Sequence, residues 1–345
     1  MGKAEDMIEQ IKAQEKKGFV SKRNIKKTMP TQKSYLENYG SHIKNALEIT
    51  GEFKMLENFG KCIICGVGTA QAAGQVLASY INNIEIQVNS DFNIKGLRKD
   101  NLVVIASYNG NDEEAIACYK QCLRTGVKII GLTSGGRLLD GFERNSTEHI
   151  VIPKNLIEST TFHYFFFPLL RIFENSRLIH SEKEAINEVI NATKKTEIKD
   201  LARGLYEKIQ DKMILIYATK SMGPVADYWK LQINLNAKAP AFSGVMSSSI
   251  SELNTFVKDI WDFYIVFLKD EEDSIESQKA IKIAKEIVRN KGYGTTEIIL
   301  KGTNPLTRII SSLLIADYVS YFLSGYYNLH ENLVEKYKEN YTKKN

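Results

Sequence analysis

Long uninterrupted apolar runs are scarce in the chain. Its most apolar stretch, residues 162–173, is too short to span a bilayer and is interrupted by Pro168 and Arg171. No apolar core follows the charged residues near the start, so no secretory signal is expected and a cytoplasmic location is the default, with no membrane partner. Cysteine is scarce, with four in 345 residues. Cys62 and Cys65 fall in an expected strand, where positions three apart point to opposite faces and cannot easily share an ion. Cys118 and Cys122 stand one helical turn apart, and all four read as buried free thiols with no metal and no disulfide. The basic first thirty residues carry eight Lys and Arg against four acids but lack the interleaved aromatics of a single-strand binder. They read as a solvated helical arm, and nucleic acid is not an expected partner. A dinucleotide fingerprint is also incomplete. Gly66 and Gly68 follow a strand, but Gln71 stands where the third glycine belongs, so neither a nicotinamide nor any other cofactor is expected.

What is present is a globular composition, 43% hydrophobic and 25% charged with a net charge of +5, in a chain long enough for two domains. Residues 103–138 organise the first of them. An apolar run at Val103, Val104 and Ile105 predicts a strand buried on both faces, and a Ser, Asn and Gly turn follows over 107–112. Ile116, Tyr119 and Leu123 then give a helical stripe. A second strand over 127–132 ends in Thr133, Ser134, Gly135, Gly136 and Arg137. Both turns lie at the carboxyl ends of parallel strands, where open α/β sheets bind ligands.

Further strands are expected at 61–65, 84–88 and 149–152. Helices are expected at 34–56 and 158–178, and a charged helix over 181–200 links two halves. The pattern then repeats, with strands at 213–217, 263–267 and 297–300, helices at 275–288 and 306–323, and a charged helix from Glu331. The fold class read from this is α/β, two doubly wound parallel sheets. The divisions are an N-terminal helical arm over 1–40, a first subdomain over 41–180, a linker helix over 181–200, a second subdomain over 201–329 and a C-terminal helix over 330–345.

Strand, S-Y-x-G-N-x-E-E, strand, T-x-G-G-R-L resembles the sugar isomerase (SIS) fold, and within it the bifunctional phosphoglucose/phosphomannose isomerases. Gly66-Val67-Gly68, Pro153-Lys154, Asn236-Ala237-Lys238 and Lys338 agree with this. The resemblance runs over residues 40–340, more specific in the first half than in the second. It implies two flavodoxin-like SIS subdomains and a homodimer with sites near the subunit interface. It also implies metal-free aldose–ketose isomerisation of hexose 6-phosphates through an enediol.

Residue by residue, the resemblance places substrate contacts at Gly66, Gly68, Thr69, Ser107, Asn109, Asn111, Asp112 and Ser134. The family's phosphate cradle is S-Y-S-G-N-T. Here Ser107 is kept, Asn109 replaces a serine, Asp112 replaces a threonine, and Ala70 replaces a further serine. As an N-cap, the Asp112 carboxylate is expected to occupy the helix N–H groups that would otherwise attract phosphate, and it also repels a dianion. The family's base glutamate falls on Leu235, which cannot move a proton, and its ring-opening histidine segment falls on residues 249–254, which hold no histidine. Arg137, for the enediolate charge, and Lys338, at the ring-opening end, match the family, and Glu252 or His330 is the candidate for a substitute base. Three readings remain open: an isomerase-like enzyme with replaced acid–base groups, an enzyme on a non-phosphorylated, amino or nucleotide-linked sugar, and a non-catalytic sugar-sensing homodimer.

Overall fold

The computed structural model describes residues 31–51, 53, 59–246, 251, 253 and 262–327. Two short helices come first, α1 (Gln32–Glu37), whose Thr31 hydroxyl caps the Ser34 N–H, and α2 (Tyr39–Glu48). The single helix expected over 34–56 is therefore broken at Asn38, whose side-chain amide donates to the Ser34 carbonyl. The first sheet follows as β1 (Cys62–Cys65), α3 (Gly68–Tyr80), β2 (Ile86–Asn89), β3 (Leu102–Ala106), α4 (Glu113–Thr125), β4 (Lys128–Thr133), α5 (Gly136–Arg144) and β5 (Glu148–Val151). Its strands are parallel in the order β2-β1-β3-β4-β5. Every residue of β1 and β3 is buried, as continuous apolar runs in a sheet covered on both faces require.

A 3-10 turn, Glu158–Thr160, leads into the phenylalanine-rich α6 (Phe162–Asn175). The expected linker helix over 181–200 is α7 (Lys183–Ala192) plus the start of α8 (Thr196–Ile209), and α7 packs on α2 rather than merely spanning a gap. The second sheet comprises β6 (Met213–Ala218), α9 (Gly223–Gln232), a π-helical turn (Ile233–Ala237), β7 (Ala241–Val245), β8 (Phe263–Asp270), α10 (Ile275–Asn290) and β9 (Gly294–Leu300), with strand order β7-β6-β8-β9. Sequence patterning missed β7, because Ala-Phe-Ser-Gly-Val is short and contains a glycine.

The long helix α11 (Pro305–Tyr327) closes the described chain. It is long and apolar enough by composition to cross a membrane, but 78% of its most apolar window is buried in the protein, against α7, α8, α9 and the π turn. One apolar core runs through both halves from Tyr35 to Leu323, including Ile64, Phe166, Trp229 and Val266. Within it the Trp229 indole donates to the Ser312 hydroxyl at 3.0 Å, which satisfies a polar group that would otherwise be costly to bury. Cys62 faces this core. Cys65 faces the opposite one with Cys118 and Cys122, as the strand alternation predicts, and all four thiols are free and buried.

Candidate functional site

Strand order reverses between β1 and β3, so the turns leaving these two strands diverge and leave a crevice at their carboxyl ends. The residues on its floor are dictated by close backbone approach. A side chain at Gly66 would start 2.6 Å from the Ala106 carbonyl oxygen at the end of β3. Gly110, at a φ of +72°, would place a Cβ 1.8 Å from the Gly135 carbonyl oxygen, and Gly136, at +69°, would place one 2.3 Å from that of Asn109. The turns after β3 and β4 are therefore interlocked, and the Ser134 N–H and hydroxyl both donate to the Tyr108 carbonyl, at 2.8 and 2.6 Å. At Gly110 and Gly136 only glycine combines the left-handed φ with the missing Cβ.

Ser107 is buried between the turns. Its hydroxyl accepts the Gly110 N–H at 3.0 Å and donates to the Asp112 carboxylate at 2.6 Å. Asp112 holds the N-cap position of α4, but its side chain makes no capping bond, which corrects the expectation that it occupies the helix N–H groups. The carboxylate is committed to Ser107, whose short charge-assisted bond is the stronger option. The Asn109 side-chain oxygen accepts the Asn111 N–H at 2.8 Å, and the Tyr108 hydroxyl bridges the Leu156 N–H and the Pro153 carbonyl.

Of the opposite wall, the sequence marked Thr69 but not the segment 158–161 it meets. Thr69, buried in the first turn of α3, bonds the Thr161 hydroxyl at 2.9 Å and donates to the Glu158 carbonyl at 3.3 Å. The Glu158 side chain lies against Gly68, its Oε1 3.9 Å from where a Cβ would stand. From the second half, the buried Gln232 amide donates to the Ser159 carbonyl at 2.9 Å. Its oxygen accepts from Asn236, which also donates to Ser320 at 3.0 Å. The segment 158–161 is thus fastened to both halves.

The structure brings Gly66, Gly68, Thr69, Ser107, Asn109, Asn111, Asp112 and Ser134 to one end of the first sheet. Arg137 stands at the rim. Its guanidinium pairs with Glu113 at 2.5 Å and donates to the Asn111 carbonyl at 3.1 Å, and it lines the outer groove between α4 and α5 with Tyr119 and Leu123. Leu235 is 39% exposed on the π turn, an irregularity of a kind often found at functional sites. Glu252, His330 and Lys338 lie outside the described residues. The crevice's chemistry is hydroxyls, amides, backbone N–H groups and two carboxylates, a set suited to hydrogen-bonding a polyhydroxylated ligand.

Residues 195–336 match the family model of the bacterial phosphoglucose isomerase C-terminal SIS domain. The chain is 29% identical over 320 residues to a bifunctional phosphoglucose/phosphomannose isomerase of Caldicellulosiruptor bescii, covering 87% of this chain and 94% of that protein. It is 25% identical over 268 residues to a D-glucosamine-6-phosphate 4-epimerase of Sulfolobus acidocaldarius, covering 76% and 82% of the two chains. Among solved structures, the C-terminal domain of glucosamine-fructose-6-phosphate aminotransferase from Francisella tularensis superposes with a TM-score of 0.68 at 11% identity, over 91% of this chain and 99% of that one. The two parallel sheets with flanking helices have the fold of that solved structure, and the chain is similar over residues 195–336 to the SIS-domain family model and over most of its length to the bifunctional phosphoglucose/phosphomannose isomerases.

Proposed function

We propose that the protein is an isomerase-like enzyme that binds a sugar or sugar phosphate in the β1/β3 crevice and interconverts aldose and ketose through an enediol. The observation that carries this reading is the interlocked pair of turns, with Gly110 against Gly135 and Gly136 against Asn109, which holds Ser107, Asn109 and Ser134 at the switch point. Relatives named as isomerases and an epimerase of hexose phosphates support it. Such a preorganised set of donors needs no reorganisation when a ligand arrives. Leu235 at the family's base position removes the ordinary route for proton transfer, so turnover of glucose or mannose 6-phosphate is expected to be weak.

One observation favours a second reading. The Asp112 carboxylate, bonded to Ser107, puts a negative charge at the turn that would cradle phosphate. At about 5 Å and the water-like dielectric of about 80 that suits this partly exposed turn, each unit of ligand charge is opposed by about 0.8 kcal/mol, or about 1.5 kcal/mol for a dianion. A hydroxyl or an amine avoids this repulsion, which points to a sugar with no phosphate at that end or to an amino sugar.

A thermal-shift series of glucose, mannose and glucosamine, each with and without a 6-phosphate, separates the two readings, and solvent-deuterium incorporation into any binder tests the enediol. Exchange at carbon is the expected result. Binding without exchange would replace the enzyme by a sugar sensor. The working form we propose is a cytoplasmic homodimer, which gel filtration tests as elution at twice the 39.1 kDa chain mass.

A further inference from the structure

One edge of the second sheet is β9, which pairs in parallel with β8 and, among the described residues, with no other strand. Its outer side therefore presents backbone N–H and C=O groups that no neighbouring strand meets. Proteins commonly blunt such an edge with a very short strand, or with a proline or lysine on the strand itself. β9 has none of these. It runs for seven residues, Gly-Thr-Thr-Glu-Ile-Ile-Leu, and is dominated by the β-branched side chains that favour an extended backbone.

The lysines stand behind the edge instead of on it. A groove of about 360 Å³ lies between α10 and the face of the sheet formed by β8 and β9. Lys269 of β8 and Lys279, Lys282 and Lys285 of α10 line it, against one acid, Glu297 of β9. Glu297 is spent on Lys285 at 2.6 Å, and no ion pair among the described residues engages the other three lysines. Apolar surface accompanies this charge. Ile275, at the start of α10, is 68% exposed, and Ile299, two residues beyond Glu297 and so on the same face of β9, is 44% exposed.

Charge selects the occupant. A second copy pairing its own β9 antiparallel to this one brings the two lysine grooves side by side, where they repel. An anionic membrane surface meets the outward side of α10 first, and that side carries the exposed Glu276 and Glu286. Single-stranded nucleic acid uses aromatic rings for stacking, and no aromatic residue lines the groove. An acidic peptide in extended form fits both the free edge and the unpaired lysines.

We propose that β9 is a docking edge for an acidic, extended segment of a partner protein, which joins the second sheet as an added strand. Backbone hydrogen bonds to β9 hold the segment. Alternate side chains on its groove side carry the carboxylates that meet Lys269, Lys279 and Lys282. The site is separate from the β1/β3 crevice and does not depend on the sugar chemistry.

The test uses the full chain and a capped peptide of alternating glutamate and valine about as long as β9. Its counterparts are the same peptide with lysine for glutamate, and oligothymidylate. Fluorescence anisotropy reads binding, and hydrogen exchange reads the β9 amides. The acidic peptide is expected to bind at low salt, to weaken as salt rises, and to slow exchange over residues 294–300. Lys279→Glu combined with Lys282→Glu changes two exposed side chains, so the melting temperature should stay at the wild-type value while binding weakens at least about tenfold. Equal affinity of wild type and double variant overturns the proposal, as does failure of the acidic peptide to bind or equal binding of the lysine peptide. Tighter binding of oligothymidylate than of the acidic peptide makes the groove a nucleic-acid site instead. Binding that leaves β9 exchange unchanged overturns strand addition.

Discussion

The two sheets place equivalent crevices at equivalent points, but their residues have gone in opposite directions. Between β1 and β3 the crevice is lined by hydroxyls, amides and interlocked glycines. Between β6 and β8 the corresponding space, a cleft of about 240 Å³, is crossed by charges that satisfy one another. Arg308, 3% exposed, reaches Asp270 at 2.9 Å and Glu272 at 2.6 Å, and the Ser221 hydroxyl donates to Asp273 at 2.9 Å. The same topology therefore yields a crevice of hydrogen-bonding groups in one half and a structural joint in the other. Topology opens the space, and the side chains decide what it does. At the second crevice polar groups should act on stability, and at the first on ligand binding.

The sharpest way to break that comparison is Arg308→Ala. It leaves Asp270 buried without its cation, and such losses cost about 3–5 kcal/mol. Urea unfolding should show a midpoint lowered accordingly, while sugar binding at the first crevice, measured where the variant is still folded, should be unchanged. Equal loss of ligand affinity would mean that the two crevices are not separate.

A second group on α11 tests the same division through pH. Asp317 is fully buried where α1, α2 and α9 meet α11, facing Tyr35, Tyr39 and Tyr228, and its Oδ1 accepts from the Tyr228 hydroxyl at 2.8 Å. Burial pushes its carboxyl up to about 8, against the opposing bond from Tyr228. The native state therefore keeps a proton that the unfolded chain has already lost above its ordinary value of 3.8. Stability from this group is complete below that value, falls as pH rises, and levels off above about 8. Between pH 6 and pH 9 the loss is about 3 kcal/mol, and Asp317→Asn should remove that slope in chemical unfolding series. His163 runs the other way. Burial, and then the charge of His42, hold it well below its usual range, so its contribution is present above 6.5 and lost as pH falls.

In the first half, Ser107→Ala removes the acceptor of the buried Gly110 N–H, worth about 1–3 kcal/mol of stability, and also releases Asp112 into the crevice. Loss of sugar binding alongside the smaller stability cost is expected by calorimetry and thermal melting. Unchanged binding would move the ligand away from this turn.

How far the sequence disclosed this depends on the range of the interactions. The parallel sheets were legible because β1 and β3 are unbroken apolar runs, and the turns at 107–112 and 133–137 because their glycines and hydroxyls stand together in the chain. The wall at 158–161 was not. Its partners, Thr69 and Gln232, are 92 and 73 residues away along the chain, and no local pattern marks such contacts. Asp112 shows a different limit. Its position says N-cap, and its carboxylate nevertheless bonds Ser107, because two acceptable partners compete and only the turn's geometry decides. Arg137 looked free to meet a substrate until Glu113, 24 residues earlier, was found against it.

The smallest expected effect is the most discriminating about ligand chemistry. Asp112→Asn keeps an oxygen to accept the Ser107 hydroxyl and so keeps the turn, but removes one unit of negative charge from the cradle. If the ligand carries phosphate at that turn, the repulsion it now meets is relieved, and affinity for a sugar 6-phosphate should rise about tenfold, equivalent to about 1.4 kcal/mol, with no change for the unphosphorylated sugar. If the ligand instead presents an amine, the same substitution weakens binding of glucosamine and leaves glucose unaffected, because Asp112 was then an attraction. Calorimetric titration of the wild type and the variant with these four sugars reads the sign of the change directly. The sign, more than its size, decides whether the first crevice is a phosphate cradle with one hostile residue or a pocket built around that residue.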